Sequence, residues 1–211
     1  MHKESYLKSK KHVAKWMRRL YDKGLTTSLG GNISCRLDDE HIAITASETD
    51  KGKIKDVDIA VVTMTGVVVE PLVKISMETA LHLAVYKQRP DVKAIVHAHP
   101  PMGSLFSVLK QGLNTKLLAE AYSIIGQPAV AEYAAPGSEQ LAINVANSVK
   151  DANVVLMANH GVLAVGDSLL KAFDRIEVLE NAAKMTMMTT LMNDKRELSA
   201  AQLLELDQLF D

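Results

Sequence analysis

The sequence predicts a layered α/β or α+β protein with a mixed, mostly antiparallel central sheet and helices on its faces. Two observations predict this. Short strand-like runs mingle with helix-period segments along most of the chain. The stretch 33–69 holds consecutive strand-like runs with no helix between them, which argues against a purely parallel, doubly wound sheet. The composition fits an ordered globular chain, with 211 residues, 47% hydrophobic and 23% charged. A chain of this size can bury a core without staples. No internal repeat, low-complexity tract or linker divides it, so a single domain over 1–211 is expected.

The elements follow in order. Residues 5–23 read as a helix with Val13, Trp16, Met17 and Leu20 on one face and Gly24 as its stop. The segment 26–32 is turn-rich. Strand-like runs follow at 33–37, 41–45, 59–64 and 67–69, the last two joined by a Thr65-Gly66 turn. Residues 77–89 read as a helix ended by Pro90, with Ser76 as a plausible N-cap. Runs at 93–97, 130–133, 153–157 and 162–165 read as strands. Helices are expected at 103–111, after Pro136-Gly137-Ser138, at 168–191 and at 198–210.

Charge and cysteine usage exclude several classes. Lys and Arg number 24 against 25 Asp and Glu, a net charge of −1, so the basic excess of a nucleic-acid binder is missing. No apolar run approaches the ~18 residues of a membrane span, and the polar start lacks a secretory signal. Cys35 is the single cysteine, so no intrachain disulfide forms. A cytoplasmic, reducing home is expected.

The sharpest chemical feature is His97-Ala98-His99. Side chains at i and i+2 of a strand share a face, so two imidazoles can share a cation. His160, in Asn159-His160-Gly161 after another apolar run, offers a third ligand. Three imidazoles suit zinc and leave a position open for chemistry. The alternative is a pair of histidines that ends a strand without metal. His82 reads as a hydrogen-bonded packing residue, and His2, His12 and His41 as surface residues.

Glu78 lies where a helix begins. It is either a carboxylate beside the metal or a first-turn acid that suits the helix dipole. Gly30-Gly31-Asn32 can bring backbone N–H groups close to an oxyanion or form a plain turn. Thr45-Ala46-Ser47 ends a strand and can add a hydroxyl. Cys35 reads as inert. Lys51, Lys53 and Lys55 read as a solvated charge run, with Lys51 in reach of an anionic substrate.

Taken together, these pieces resemble the class II aldolase/adducin family. The motifs are Gly31-Asn32-x-Ser34, Thr45-x-Ser47, Ser76-x-Glu78, His97-x-His99 and Asn159-His160-Gly161, in that order over roughly residues 10–190. The resemblance implies a three-layer α/β/α sandwich, usually a homotetramer with active sites at subunit interfaces. It implies Zn2+ or another divalent ion on His97, His99 and His160. Glu78 is then fourth ligand and acid/base, and Gly31, Asn32, Ser47 and Ser76 bind the substrate phosphate.

The activity implied is cleavage of a phosphorylated ketose, L-fuculose 1-phosphate in type, to dihydroxyacetone phosphate and an aldehyde through an ene-diolate. Other activities of the family are dehydration of a ketose 1-phosphate and 4-epimerisation of a sugar phosphate; adducin is a non-enzymatic relative that lacks the metal histidines. Glu78 stands where the epimerases carry Asp, which favours an aldolase-like enzyme. The run Thr45-Ala-Ser-x-x-Asp-Lys51 is similar to the methylthioribulose-phosphate dehydratases. Glu48 stands where the aldolases usually have Gly, and Met77 where they have a second Ser. Leu118 aligns with their mobile tyrosine, for which Tyr122 or Glu120 is the candidate replacement.

Overall fold

The computed structural model describes residues 2–69 and 74–210, and the side chains of 6–69 and 74–209. A helix, α1 (His2–Asp22), is followed by three antiparallel strands, β1 (Asn32–Arg36), β2 (His41–Thr45) and β3 (Ile59–Thr63). Next come α2 (Thr79–Gln88), β4 (Ala94–Ala98), α3 (Pro101–Val108), α4 (Ala119–Ile125) and β5 (Ala129–Ala131). The chain continues with α5 (Glu139–Ser148), β6 (Val154–Met157), β7 (Gly161–Gly166), α6 (Leu169–Met192) and α7 (Ala200–Phe210). The strands form one sheet in the order β3-β2-β1-β4-β7-β6-β5. Every pairing is antiparallel except β5 with β6. The mixed, mostly antiparallel sheet expected from the helix-free 33–69 stretch is the one observed.

Strand alternation divides the core into two layers. On one face Ile33, Val96, Ala98 and Val162 pack against Val13, Met17 and Leu20 of α1 and Phe173 and Ile176 of α6. On the other, Ile44, Ile95, Leu163 and Val165 pack against Leu81 and Val85 of α2 and Leu141 and Val145 of α5. Helices therefore cover both faces of the sheet, as in an α/β/α sandwich. Among the described residues no helix is long and apolar enough to cross a membrane.

Several expected elements shift or change. The run 67–69 is not a strand; one isolated bridge, Val62↔Val68, and two backbone hydrogen bonds hold it against β3. The 103–111 helix starts earlier, at Pro101, whose fixed φ suits a first helical position, and stops at Val108. The sequence reading placed nothing at α4, a two-turn helix too short for its period to stand out. Ser76 is not the N-cap of α2. Glu78 holds that position with no side-chain cap bond, because its carboxylate is turned toward the histidines.

Candidate active site

The sheet register brings the site together. Asn32 of β1 lies opposite His97 of β4, and both point to the face that α2 covers. His99 lies just past the end of β4, where its N–H donates to Leu25 O at 3.0 Å. His160 sits in the β6–β7 turn, whose His160 N–H donates to Met157 O at 3.0 Å. Asn159 takes the left-handed conformation, φ 54°, that this tight turn needs. Gly161 has a packing reason: a Cβ there would lie 2.5 Å from His99 Cδ2 and 2.7 Å from Ala98 O. At Gly31, φ 67°, an added Cβ would similarly lie 2.7 Å from His97 O.

One donor atom from each of His97, His99 and His160 lies within 4.8 Å of the others. His99 Nε2 is 3.1 Å from His97 Nε2, and Glu78 Oε2 is 3.2 Å from the same atom. Glu78 Oε1 is 3.2 Å from His160 Nε2. Four donors bound tetrahedrally at about 2.0–2.1 Å would lie about 3.3–3.4 Å apart. Three of the spacings, at 3.1–3.2 Å, lie close to that value, and the three imidazole donors as a set lie within 4.8 Å of one another. His97 donates its Nδ1–H to Val162 O at 2.9 Å, which orients the ring with Nε2 toward its neighbours. Glu78 Oε1 is buried with no hydrogen-bond partner. The residues present therefore fit a divalent cation.

Their protonation suits it as well. Burial lowers the pKa of His99 to about 4, with His97 and His160 pushing the same way. Burial and His97 also lower His160. Burial raises the Glu78 carboxyl, but His97, the Asn32 hydrogen bond, His160 and His82 together hold it below the usual carboxylate range. His99 and His160 as neutral imidazoles and Glu78 as a carboxylate are in the ligand forms a metal requires.

Behind Glu78 runs a buried chain of hydrogen bonds. Asn32 Nδ2 donates to Glu78 Oε2 at 2.7 Å, so Asn32 Oδ1 faces His82 Nε2 at 2.5 Å and accepts from it. His82 Nδ1 then accepts from Ser34 Oγ at 2.6 Å, and Ser34 accepts from Tyr86 Oη at 2.8 Å. An ionised carboxylate only accepts, so every direction in this chain is fixed from the Glu78 end. Burial lowers His82 to about 3, which keeps it neutral. His82 is the packing residue the sequence predicts, and it also orients the residue that holds Glu78.

A single cavity is lined by His97, His99, His160, Glu78, Gly31, Asn32, Ser47 and Ser76. The candidate metal ligands and the candidate phosphate-binding residues Gly31, Asn32, Ser47 and Ser76 meet there. Their neighbours modify the reading. Thr45 faces away and accepts from Ile33 N–H at 3.2 Å, and Asn32 is engaged with Glu78 and His82. Ser76 Oγ accepts from Glu78 N–H at 3.3 Å. Leu118 packs against the core under α4, and Tyr122 Oη donates to Asp207 at 3.2 Å, so neither reaches the cavity. Glu120 does not line it either. His12 is exposed, but His41 is half-buried and paired with Asp38 at 2.9 Å. Cys35 is buried, and burial pushes its thiol up to about 12, so it is inert. Lys51 is not part of a solvated run: it is buried at 2% exposure and lines the cavity, the position from which it can reach an anionic substrate.

Fold and cavity thus define a class: an α/β/α protein with three imidazoles and a carboxylate converging beside a polar pocket. The family model described as Class II Aldolase and Adducin N-terminal domain matches residues 11–187, and the chain belongs to that family. The chain is 32% identical to the L-fuculose phosphate aldolase of Methanocaldococcus jannaschii over 183 residues, 87% of this chain and 98% of that protein. It is 34% identical to the 3-oxo-tetronate 4-phosphate decarboxylase of Haemophilus influenzae over 173 residues, 80% of this chain and 81% of that protein. A solved L-fuculose 1-phosphate aldolase superposes with a TM-score of 0.88 at 32% identity, covering 96% of each chain. Within the family the chain is a class II aldolase-type enzyme, a lyase of carbohydrate chemistry.

Proposed function

We propose that the chain is a zinc-dependent aldolase that splits a ketose 1-phosphate, L-fuculose 1-phosphate in type, into dihydroxyacetone phosphate and an aldehyde. The observation that carries this reading is the convergence of His97, His99 and His160 within 4.8 Å of one another, with Glu78 3.2 Å from both His97 and His160. Three imidazoles and a carboxylate favour zinc over magnesium or calcium. When bound, such an ion supplies the Lewis-acid charge that offsets negative charge on the ketose oxygens as the carbon–carbon bond breaks.

The chain's own groups do the rest. Glu78, held anionic and aimed by Asn32, takes the proton from the hydroxyl beside the breaking bond. It returns a proton to the carbon that leaves as dihydroxyacetone phosphate. Gly31, Ser47, Ser76 and the second amide proton of Asn32 hold the phosphate and fix the ketose relative to Glu78. We place the protein in the cytoplasm as a homotetramer of single-domain subunits. Leu29 and Met77 support a covering copy, since they line the cavity yet are 66% and 68% exposed. No tyrosine lines the cavity among the described residues, which also favours an acid from a neighbouring subunit.

A second reading is decarboxylation of a sugar-acid phosphate, favoured by the 34% identity to the Haemophilus influenzae decarboxylase. The same residues then stabilise the electron pair left when carbon dioxide departs instead of an aldehyde. A panel of phosphorylated ketoses and 3-oxo acid phosphates, assayed with zinc-loaded protein, separates the two. The aldolase reading expects dihydroxyacetone phosphate; carbon dioxide with none of it would sink that reading.

A further inference from the structure

Lys51, Lys53 and Lys55 form one run in the sequence but occupy two different environments in the fold. The Lys53 side chain is 87% exposed and Lys55 is exposed. Lys51 is 2% exposed, among the largest fully buried side chains of the protein. Its Nζ donates to Ala46 O at 2.7 Å and to Thr49 Oγ1 at 3.2 Å, both neutral acceptors. No carboxylate among the described residues forms an ion pair with it. An ammonium withdrawn from water without an anion is an expensive group to keep.

Its placement gives the reason. The turn that carries it is pinned to the glycine loop, where Lys51 N–H donates to Ser28 O at 2.9 Å. Lys51 is the single lysine or arginine among the cavity-lining residues, which otherwise offer hydroxyls, backbone and the metal-side donors. Two of its three N–H bonds are committed, so one donor and the charge stay uncommitted on a residue that lines the cavity. Burial pulls its pKa down to about 8, with Asp58 opposing in part, so it stays mostly charged at neutral pH.

We propose that Lys51 is the cationic anchor for the substrate's phosphate and makes the site select a phosphorylated sugar over a free one. The inference rests on the sugar-phosphate reading above, but its test does not need turnover. The rival role is a structural clasp on the 46–51 turn. Lys51→Met removes the charge and keeps the length; Lys51→Gln also keeps a donor for the turn.

Inorganic phosphate is titrated into zinc-loaded wild type and both variants by calorimetry, with zinc content checked. Wild type should bind, and both variants should bind at least fivefold more weakly with zinc unchanged. Where a ketose phosphate is cleaved, its KM should rise at least fivefold in the variants while cleavage of the unphosphorylated ketose changes less than twofold. No phosphate binding by wild type, or a loss below fivefold in the variants, overturns the proposal. Failure of both variants to fold also overturns it, because the lysine is then a clasp. If no ketose phosphate is cleaved by wild type, the aldolase reading falls and the phosphate titration still decides the role of Lys51.

Discussion

The floor and the mouth of the cavity are built by different means. The floor takes His97 from inside β4, His99 from its end, and His160 and Glu78 from the turn and helix start that abut it. Their backbones are held by a sheet register and by close glycine contacts. The mouth takes Gly31, Ser47, Lys51 and Ser76 from turns between elements. Rigid strands fix positions to a few tenths of an ångström, as a metal requires, while turns present N–H and O–H groups to a larger, rounder anion. The difference teaches a division of labour: changes at the floor should remove chemistry, and changes at the mouth should weaken binding.

His97→Ala tests the floor most severely. It deletes one imidazole and removes one of the close partners of Glu78. Bound metal and turnover should vanish together, with activity down about a thousandfold or more, roughly 4 kcal/mol in the barrier. Elemental analysis and a turnover assay read both. A metal-free variant with full activity would break the division outright.

Glu78→Gln is the sharper cut. The amide keeps the shape of the carboxylate but cannot take a proton. Metal should remain, KM should hold within a few fold, and kcat should fall about 10²–10⁴-fold. A rate within twofold of wild type would reduce Glu78 to an acid at a helix start.

His82→Leu acts one step further back. It removes the donor to Asn32 Oδ1 and the acceptor for Ser34, and leaves both polar groups buried. Each buried unsatisfied group costs about 1–3 kcal/mol, and Ser34 keeps its bond to Tyr86, so the loss should be about 2–4 kcal/mol. At about 2–4 °C per kcal/mol for a chain of this size, Tm should drop by about 5–15 °C. Asn32 would lose its orientation, and kcat should fall about tenfold with metal retained. An unchanged kcat in the folded variant would show that Glu78 needs no support from this chain of bonds.

The floor was also the more legible region. His97-x-His99 carries its geometry in the alternation of a strand; β4 holds His97, and His99 follows one residue beyond its end. The sheet's antiparallel character was readable because 33–69 leaves no helix for a parallel crossover. The mouth was not legible in the same way. Lys51 looks like its solvated neighbours because nothing local in a sequence says which residue of a turn folds inward. Asn32 was visible as a polar residue, but its tie to Glu78 and His82 spans 46 and 50 residues, beyond any local pattern. The α4 helix was missed because two turns offer too few repeats for a period.

Glu48→Gly is the mildest test and bears on the mouth alone. Glu48 adopts φ 56°, where a side chain costs roughly 1–2 kcal/mol. Glycine would relieve that strain but return about 0.4–1 kcal/mol through a freer unfolded chain. The ion pair of Glu48 with Lys74 would also be lost, but the two side chains are 70% and 63% exposed, so screening leaves it at the low end of surface pairs. Strain relief wins narrowly, for a net gain of about 0.5 kcal/mol and a Tm rise of about 1–2 °C. The variant also removes a carboxylate one residue from Ser47, so phosphate should bind about two- to threefold more tightly at low salt, with kcat unchanged. Weaker phosphate binding would mean that Glu48 and Lys74 shape the mouth together rather than oppose the anion.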